Sequence, residues 1–409
     1  GYVGLPLSVV FSKKYKVIGY DINEDRVNEL KKLYDRTNEI KRLVLDNCLK
    51  NNLRLTSNIL DISSCNIYII TVPTPVYKNK IPNLSYIEKS SSEVSKILKK
   101  GDIVIYESTV YPGCTEEVCV PILEKGSKLV YNKDFYCGYS PERINPGDKI
   151  NTIENIVKVT SGSNLKTAKI VNELYSSVIK AGTHMTDSIK IAEASKVIEN
   201  AQRDINISLM NELSLIFDRM NIDTDDVINA AKTKWNFLDF RPGLVGGHCI
   251  GVDPYYLVYK SKKLGYSPKV ISSGRNINDS MGTFVGKKSI QILKQKNHNI
   301  KKSKVLILGA TYKENSPDTR NTKIPDIYNC LSKKGISTFI FDPIADKESF
   351  EKSYGIKLIS ILDKYDLIIL AVSHSVFKKI NLDDIKKKSS SIIFDLKSFY
   401  PKNISNIRL

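Results

Sequence analysis

The chain has 409 residues, of which 41% are hydrophobic, and it carries a formal net charge of +18. This length exceeds what one hydrophobic core supports, so two or three domains are expected, and the hydrophobic content excludes a disordered chain. No apolar run is long enough to cross a bilayer, and the lysines are scattered rather than clustered with aromatic residues, which argues against a membrane or nucleic-acid partner.

The cysteines and histidines bear on compartment and metal binding. Seven cysteines, an odd number without regular spacing, indicate reduced thiols and a cytoplasmic location. The four histidines lie far apart in sequence, so no metal-ligand spacing is present and no zinc site is expected. No signal peptide is visible, and the positive charge would attract an anionic substrate.

The chain opens on part of a dinucleotide-binding motif. That motif runs strand, G-x-G-x-x-G, helix, strand and an acidic residue that binds the adenosine ribose. Gly1 and Gly4 match its second and third glycines, and Asp21 matches the acidic residue. The first strand and first glycine are missing, so the sequence is expected to begin inside the motif. The acidic residue favours NAD over NADP.

Further strand and helix units follow the opening motif. The apolar segments within 66–75 and 102–110 are typical of buried strands, and their alternation with helices predicts a parallel, doubly wound sheet. Ligands of such sheets bind at the carboxyl ends of the strands. Four hydroxyl side chains fall there, and each either binds a ligand or caps a turn: Thr71, Thr74, Ser108 and Thr109.

A loop is predicted over residues 138–147, where the sequence reads Gly-Tyr-Ser-Pro-Glu-Arg-Ile-Asn-Pro-Gly. It contains one carboxylate, Glu142, between a proline and an arginine. On spacing alone, this pattern is typical of a solvated turn.

A long helix is predicted from about Asp187 to Met220. Its apolar residues occupy more than one face, so burial on several sides is expected. Glu193, Lys196 and Asn200 lie three and four residues apart and share one face. Two interpretations stay open: a structural bridge with Glu193, or an amine and an amide directed at a substrate oxygen.

A glycine-rich segment, residues 243–251, contains four glycines around a single cysteine, Cys249. Glycine permits positive φ and close approach of a ligand, so a substrate can reach this thiol. A helix is predicted directly afterwards, with Asp253 as N-cap, Pro254 as first residue and Gly265 as stop. A helix N-terminus near Cys249 would favour its thiolate, whereas the alternative is a small buried cysteine in a turn.

After residue 287 the alternation of strands and helices starts again. A strand and the turn after it are predicted within 304–313, and further strands within 338–341, 367–372 and 392–395, with a helix around 325–334 that ends at Gly335. This pattern predicts a second α/β domain. Its first turn has one glycine rather than G-x-G-x-x-G, so no second dinucleotide is expected there.

These motifs, in this order, resemble the nucleotide-sugar 6-dehydrogenases, the family of UDP-glucose and GDP-mannose dehydrogenases. The resemblance covers essentially the whole chain and rests on residues 1–4, 108–110, 140–142, 193–196 with Asn200, 246–249 with Asp253, and 313–315 with Asp318 and Arg320. It implies two doubly wound, Rossmann-like α/β domains joined by a long central helix, the first lacking its first strand here. The implied domains are an NAD-binding domain (1–186), a central dimerisation region with the cysteine (187–286) and a UDP-sugar-binding domain (287–409).

The resemblance also implies the chemistry. The C6 alcohol of a nucleotide sugar would be oxidised twice, with two NAD+, to a uronic acid. Cys249 would add to the intermediate aldehyde as a thiohemiacetal, which a second oxidation converts to a thioester. Lys196 and Asn200 would stabilise negative charge at C6, and Lys196 would also take part in proton transfer.

Three further residues have implied catalytic roles. Asp253 would position or activate water, Glu142 would be the general base in thioester hydrolysis, and Thr109 would supply a hydroxyl near the site. In the UDP-glucose enzymes a second glutamate stands four residues after the first. That position is Pro146 here, so a role for a second carboxylate does not transfer.

The resemblance implies two sets of binding residues and a homodimer. The cofactor-binding residues are Gly1, Tyr2, Val3, Gly4, Asp21, Arg26, Thr71, Pro73, Thr74, Ser108, Thr109 and Arg320. The substrate-binding residues are Glu142, Arg143, Lys196, Asn200, Arg241, Gly246 and Lys313. The loop with Lys313 and Arg320 would lie over the interdomain cleft, towards cofactor and sugar nucleotide; the alternative is a solvated charged loop.

Residues 140–147 and 240–248 look most like the bacterial branch that acts on UDP-N-acetylhexosamines. UDP-glucose enzymes generally have tyrosine before the cysteine, where His248 stands here. The expected substrate is UDP-N-acetylglucosamine, with UDP-N-acetylmannosamine, UDP-N-acetylgalactosamine and UDP-glucose as alternatives, and the product would enter capsule or O-antigen polysaccharide. Two other classes stay open: a β-hydroxyacid dehydrogenase with a single oxidation, and a non-catalytic nucleotide-sugar-binding protein.

Overall fold

The computed structural model describes residues 1–144 and 151–409, which form two compact units. Unit 1 comprises Gly1–Glu199 and Tyr255–Gly265, and unit 2 comprises Asn200–Pro254 and Tyr266–Leu409. Across the described ranges, no helix has both the length and the apolar character needed to span a membrane.

Unit 1 alternates helices and strands. Its helices are α1 (Gly4–Ser12), α2 (Glu24–Lys31), α3 (Arg42–Lys50), α4 (Ser85–Ser95), α5 (Val120–Ser127) and α6 (Leu165–Ser176). Its strands are β1 (Val17–Tyr20), β2 (Leu53–Thr56), β3 (Ile67–Ile70), β4 (Ile103–Tyr106), β5 (Tyr136–Tyr139), β6 (Lys158–Gly162) and β7 (Thr183–Met185). β1 and β2 form a parallel pair, and β3 to β7 form a second sheet in chain order. All its pairings are parallel except β5 with β6, so the predicted parallel sheet is confirmed for β3 to β5, while β6 and β7 run in the opposite direction.

Helix α1 packs into two hydrophobic cores of unit 1. Leu7 and Phe11 join a cluster with residues of β4 and α6, whereas Leu5 and Val9 join a cluster with residues of β2. All four residues of β4 are buried, as its continuous apolar sequence predicted. This packing fixes the start of α1, and therefore Gly4, beside the strands.

Helix α7 (Ile189–Met220) and helix α9 (Asp253–Lys263) contribute residues to both units. The bounds of α7 confirm the predicted long helix. Burial on several sides is only partly correct, because Ile198, Leu209 and Ile216 are 45% to 55% exposed. Helix α9 begins at Asp253 itself, one residue earlier than the N-cap pattern predicted, and ends before Gly265, whose φ is +82°.

The rest of unit 2 contains a second parallel sheet and its helices. The helices are α8 (Thr224–Ala231), α10 (Lys269–Gln295), α11 (Ile324–Ser332), α12 (Lys347–Tyr354) and α13 (Leu382–Ile385). The strands are β8 (Lys304–Leu308), β9 (Ser337–Phe341), β10 (Leu367–Leu370), β11 (Ile392–Asp395) and β12 (Ile407–Arg408), in the order β12-β11-β10-β8-β9. The predicted second α/β domain is thus confirmed. Its topological switch point lies between β8 and β10, and ligands of doubly wound sheets bind at the carboxyl ends of such strands.

The segment between α8 and the glycine-rich residues carries the chain's single tryptophan. Trp235 is 91% exposed, and Leu238, three residues later, is 58% exposed. An indole so completely exposed contributes nothing to the core of unit 2.

Candidate active site

Residues 243–251, the cysteine loop, pack closely against the segment that follows β8. A Cβ added to Gly246 would lie 2.6 Å from the Cβ of Tyr312 and 2.8 Å from the carbonyl oxygen of Asn321. Gly247 has φ +80°, and a Cβ there would lie 2.7 Å from the Tyr312 ring. The Gly247 N–H donates to the carbonyl of Arg320, and the Asn321 amide donates to the carbonyl of Gly247, both at 3.0 Å. The two glycines are therefore needed for backbone packing.

Cys249 lies near the end of this loop and is partly exposed. Its carbonyl accepts hydrogen bonds from the N–H groups of Val252 at 3.0 Å and Asp253 at 2.8 Å, where α9 begins. The Asp253 carboxylate is buried and accepts a hydrogen bond of 2.5 Å from the side-chain amide of Asn200. The structure thus joins Asn200 and Asp253, two predicted site residues that lie 53 positions apart in sequence.

The start of the cysteine loop is held by Asn211 of α7, a fully buried residue that the sequence analysis missed. The Asn211 amide donates to the carbonyl of Gly243 at 3.0 Å and accepts from the Gly243 N–H at 2.8 Å. It also donates to the side-chain oxygen of Asn278 at 2.8 Å, and Asn278 in turn donates to Asp204. In a sequence, the available signal for such a residue is a polar side chain among the apolar positions of a predicted helix, because a buried polar group needs a partner.

We expect Asn211→Ala to lower the free energy of unfolding by about 1–3 kcal/mol, because the buried N–H and C=O of Gly243 both lose their partner. Asn206→Ala is the matched control, since Asn206 lies on the same helix, is partly exposed, and its amide donates to the Gln202 carbonyl of that helix. It should change stability by less than about 0.5 kcal/mol. Urea unfolding of both variants measures the difference, and equal midpoints would contradict a role for Asn211 in holding the loop.

The loop after β8 is organised by a buried histidine. His374 Nδ1 accepts from the N–H of Asn315 at 2.8 Å, so Nε2 carries the proton and lies 3.0 Å from the Asp342 carboxylate. Burial disfavours the charged form of Asp342, but hydrogen bonds from His374 and from the Ala310 N–H outweigh this effect and keep the pKa of Asp342 below its usual value. These bonds fix the backbone on both sides of Lys313.

Arg320, predicted to bind the cofactor, is 43% exposed at its side chain and pairs with the carboxylate of Asp318 through Nε and Nη2 at 2.5 to 3.0 Å. Arg241, predicted to bind substrate, is paired with Asp225 at 2.5 Å and with Asp239 at 2.7 Å. The structure therefore gives both guanidinium groups intramolecular carboxylate partners.

A recess in unit 2 lies at the carboxyl ends of β8, β10 and β11. It is lined by Leu244, Gly246, Thr311, Tyr312, Glu314, Thr322, Lys323, Ala371, Val372 and Lys397. Lys397 Nζ would lie only 2.9 Å from a Cβ added to Gly243. Lysines beside a switch point suit an anionic ligand, but Lys323 already pairs with Asp279 at 2.7 Å, and burial lowers the pKa of Lys397. Neither lysine was predicted from the sequence, although Lys397 follows the end of a predicted strand.

Five predicted cofactor residues of unit 1 lie in the turns after β3 and β4, namely Thr71, Pro73, Thr74, Ser108 and Thr109, and Gly4 lies at the start of α1. A Cβ added to Gly4 would lie 2.7 Å from Thr71 Oγ1, so only glycine fits at the start of α1. Thr74 Oγ1 donates to the Thr109 carbonyl and Ser108 Oγ donates to the Val72 carbonyl, both at 2.6 Å. These two hydrogen bonds connect the turn after β3 to the turn after β4. Tyr2 and Pro73 are exposed, and Val3 is half-buried.

The acidic residue of the dinucleotide motif, Asp21, directly follows β1 and is partly exposed. It accepts a hydrogen bond of 2.9 Å from the Asn23 N–H. Arg26 is buried and its Nη2 pairs with Asp35 at 2.5 Å, while its Nη1 has no hydrogen-bond partner among residues 1–144 and 151–409. Arg26 Nη1 lies 3.8 Å from Glu29 Oε2, so both terminal nitrogens of this guanidinium face carboxylates, and the glycine that permits close approach is the feature that fits a dinucleotide bound at this position.

Glu193 accepts hydrogen bonds from the backbone N–H groups of Gly113 at 2.5 Å and Thr115 at 2.9 Å. Burial raises its pKa to about 7. Lys196 is buried, and within the described part of the chain no ion pair joins it to Glu193. The interpretation of Glu193 and Lys196 as a structural bridge is therefore wrong, because the Glu193 carboxylate accepts its hydrogen bonds from the backbone at Gly113 and Thr115.

Glu142 is half-buried, and its Oε1 accepts from the N–H groups of Arg143 at 2.6 Å and Ile144 at 2.5 Å. Arg143 pairs with Glu199 at 2.9 Å and donates to the Val157 carbonyl. The solvated turn expected from spacing alone is thus more ordered than predicted at its first residues. Pro146 and the end of the predicted loop lie outside the described residues.

Family sequence models match most of the chain. They are those of the UDP-glucose/GDP-mannose dehydrogenase family: its NAD binding domain over residues 1–179, its central domain over 190–280 and its UDP binding domain over 306–402.

Similar proteins agree with this match. A UDP-N-acetyl-D-glucosamine 6-dehydrogenase from Salmonella typhi is 51% identical over 413 residues, covering 100% of this chain and 97% of the relative. One of the same name from Pseudomonas aeruginosa is 50% identical with the same coverage. The structure of a UDP-D-ManNAc dehydrogenase from Pyrococcus horikoshii superimposes with a TM-score of 0.89 at 28% identity, covering 98% of this chain and 94% of that one.

The geometry and these similarities agree over both units. The first matched region is an NAD binding domain, so the cofactor is NAD, and the residues around Gly4 suit it. The third region is a UDP binding domain. Most residues that line the recess at the switch point of unit 2 fall within this region, and Leu244 and Gly246 of the cysteine loop complete the lining. The chain belongs to the UDP-glucose/GDP-mannose dehydrogenase family.

Proposed function

We propose that this chain oxidises the C6 alcohol of UDP-N-acetyl-D-glucosamine to the uronic acid, with two NAD+ per sugar. The observation that carries the proposal is the glycine-framed Cys249, four residues before an Asp253 carboxylate that is hydrogen-bonded to Asn200. The relatives at 50% and 51% identity, which are named for this substrate, support the choice of sugar. Those named for UDP-N-acetyl-D-mannosamine are 32% to 34% identical, which makes that sugar the second candidate.

NAD+ supplies a hydride acceptor for each oxidation. The thiolate of Cys249 adds to the C6 aldehyde, and the second oxidation leaves a thioester that water cleaves. Covalent capture retains the aldehyde between the two oxidations, which a single-oxidation β-hydroxyacid dehydrogenase does not need. A non-catalytic binding protein would need no thiol at all.

The remaining catalytic residues have individual proposed roles. Lys196 and Asn200 stabilise the developing oxyanion at C6, and Lys196 accepts or returns the alcohol proton. The hydrogen bond from Asn200 orients the Asp253 carboxylate, which positions water. Glu142 is the base in hydrolysis. Thr109 contributes its hydroxyl near the site, and its backbone carbonyl accepts a hydrogen bond from the Thr74 hydroxyl.

Binding roles are proposed for the residues that the resemblance implied. The turn with Gly1, Tyr2, Val3 and Gly4, together with Asp21, Arg26, Thr71, Pro73, Thr74, Ser108 and Arg320, binds the cofactor. Arg143, Arg241, Gly246 and Lys313 bind the substrate. The recess with Lys323 and Lys397 supports binding of an anionic nucleotide in unit 2. The functional domains are 1–186, 187–286 and 287–409, and the enzyme works in the cytoplasm on a precursor of capsule or O-antigen polysaccharide.

With UDP-N-acetyl-D-glucosamine as the limiting reagent, we expect two NADH per sugar and a uronate as the product. The reason is that the thioester on Cys249 can form only after a second hydride has left C6. Absorbance of NADH with mass analysis of the product measures the ratio, and a panel of UDP-sugars compares kcat/KM. One NADH per sugar with a stable carbonyl product would instead favour a single-oxidation dehydrogenase.

We also propose that the chain forms a homodimer through the exposed apolar face of α7. Leu209, Ile216 and Met220 are 48%, 45% and 57% exposed and recur at intervals of seven and four residues, which places them on one face. Leu209→Asp with Ile216→Asp should therefore halve the mass measured by light scattering. Ile361→Asp, at an 84% exposed apolar residue elsewhere in unit 2, is the control and should leave the mass unchanged. An unchanged mass in the double variant would exclude this face as the dimer contact.

A further inference from the structure

Unit 1 contains a buried charged cluster, of which the reaction as described uses Glu142 but not Lys158 or Glu107. Lys158, the first residue of β6, places its Nζ 2.8 Å from Glu107 Oε2 and 3.4 Å from Glu142 Oε2. Glu107 directly follows β4, and its other oxygen accepts a hydrogen bond from the Tyr175 hydroxyl. The side chains of Lys158 and Glu107 are 3% and 0% exposed.

The charges in this cluster are unequal, with one ammonium between two carboxylates. Although burial disfavours the ammonium, Glu107 and Glu142 raise the pKa of Lys158, so it stays charged. Burial raises the pKa of Glu107. A buried ion pair is costly to desolvate, and replacing it with well-packed apolar residues often leaves a protein equally stable or more stable. Stability alone therefore does not explain the presence of this cluster.

The cluster completes the hydrogen bonding of Glu142. Two backbone N–H groups hold its Oε1, and the Lys158 ammonium lies beside its Oε2. Donors on both oxygens fix the plane of the carboxylate. A general base needs this fixed orientation, because its carboxylate must face the water from which it takes a proton.

We propose that Lys158 is a positioning residue for Glu142, and that Glu107 and Tyr175 hold the Lys158 ammonium in place. This inference rests on the proposed role of Glu142 in hydrolysis. In that step the water oxygen bonds to the thioester carbon while Glu142 takes a water proton. The C–S bond then breaks, Cys249 leaves as a thiolate, and the carboxylic acid is released.

The test is rapid mixing of the full chain with NAD+ and UDP-N-acetyl-D-glucosamine, with the variants Lys158→Met and Glu142→Gln. If hydrolysis alone is slowed, both variants release a burst of two NADH per active site and then turn over about 10²-fold more slowly than the unmodified enzyme. Intact mass should show the sugar nucleotide on Cys249.

Two further variants separate positioning from general structure. The double variant Glu107→Gln with Lys158→Met leaves no unpaired buried charge and should behave like Lys158→Met. Lys180→Met removes an exposed lysine paired with Glu154 in the same unit and should turn over normally.

The outcomes distinguish the inference from the role on which it rests. Normal hydrolysis in Glu142→Gln overturns the role of Glu142 and the inference with it. Slow hydrolysis in Glu142→Gln but normal hydrolysis in both Lys158 variants overturns the inference alone. If both Lys158 variants lose the burst and the turnover equally, Lys158 has a structural role only, and this result also overturns the inference.

Discussion

Replacing Cys249 with serine should reduce steady-state turnover by roughly 10³-fold or more, the scale seen when an enzyme loses its nucleophile. A serine hydroxyl is a poor nucleophile unless an adjacent base activates it, so the aldehyde is no longer captured. The binding of NAD and of the UDP-sugar should be unchanged, because the backbone contacts of the cysteine loop do not involve the sulfur. Steady-state kinetics and calorimetric titration measure the two quantities.

The control for this variant is Cys330→Ser. Cys330 lies on α11 of the same unit and is also partly exposed, with its Sγ 3.9 Å from the Thr283 carbonyl. Full activity of Cys330→Ser beside loss in Cys249→Ser would assign the nucleophile. Full activity of both would remove Cys249 from the mechanism and with it the thioester.

Gly246→Ala should lower the free energy of unfolding by about 1–3 kcal/mol, as overpacking does in a tightly packed region. The added methyl would lie 2.8 Å from the Asn321 carbonyl oxygen and 3.2 Å from the Thr322 Cα, and these are backbone atoms that cannot rotate away. Displacing the cysteine loop by about 1 Å should also reduce kcat by roughly 10²-fold. Urea unfolding and steady-state kinetics on one preparation measure both effects.

Gly251→Ala is a matched control within the same loop. Among the residues that the structure describes, the nearest atom to its added Cβ would be the Gly246 carbonyl oxygen at 3.7 Å, an ordinary contact, and its φ is not positive. This variant should retain stability and turnover. If Gly246→Ala were equally tolerated, the close approach of the two loops would not be required for function.

The sequence predicted the parts of this protein that depend on local patterns. Continuous apolar strands, the long α7 and the stop at Gly265 follow from periodicity and from the backbone freedom of glycine, which act over a few residues. The cysteine loop was recognisable for the same reason, since its glycines surround one thiol. The start of α9 was displaced by one residue because the N-cap pattern does not distinguish Asp253 from its neighbour.

Contacts between distant segments could not be predicted in this way. The partners of Glu193 are backbone groups at Gly113 and Thr115, and no helix periodicity identifies them. Lys158 and Glu107 lie 51 residues apart and meet only because β4 and β6 belong to one sheet. A charged residue inside an apolar strand pattern was the available signal for Lys158. It indicates burial with a partner, but it does not name the partner.

The exposed position of Trp235 has a practical consequence for spectroscopy. Because the chain has one tryptophan, fluorescence excited selectively in indole reports on a single known residue rather than an average. At 91% exposure the free side chain should emit at long wavelength and be quenched readily by iodide or acrylamide. Any ligand or subunit that covers the segment between α8 and the cysteine loop would shift this emission to shorter wavelength. The native chain therefore carries its own optical reporter beside that loop, without any introduced label.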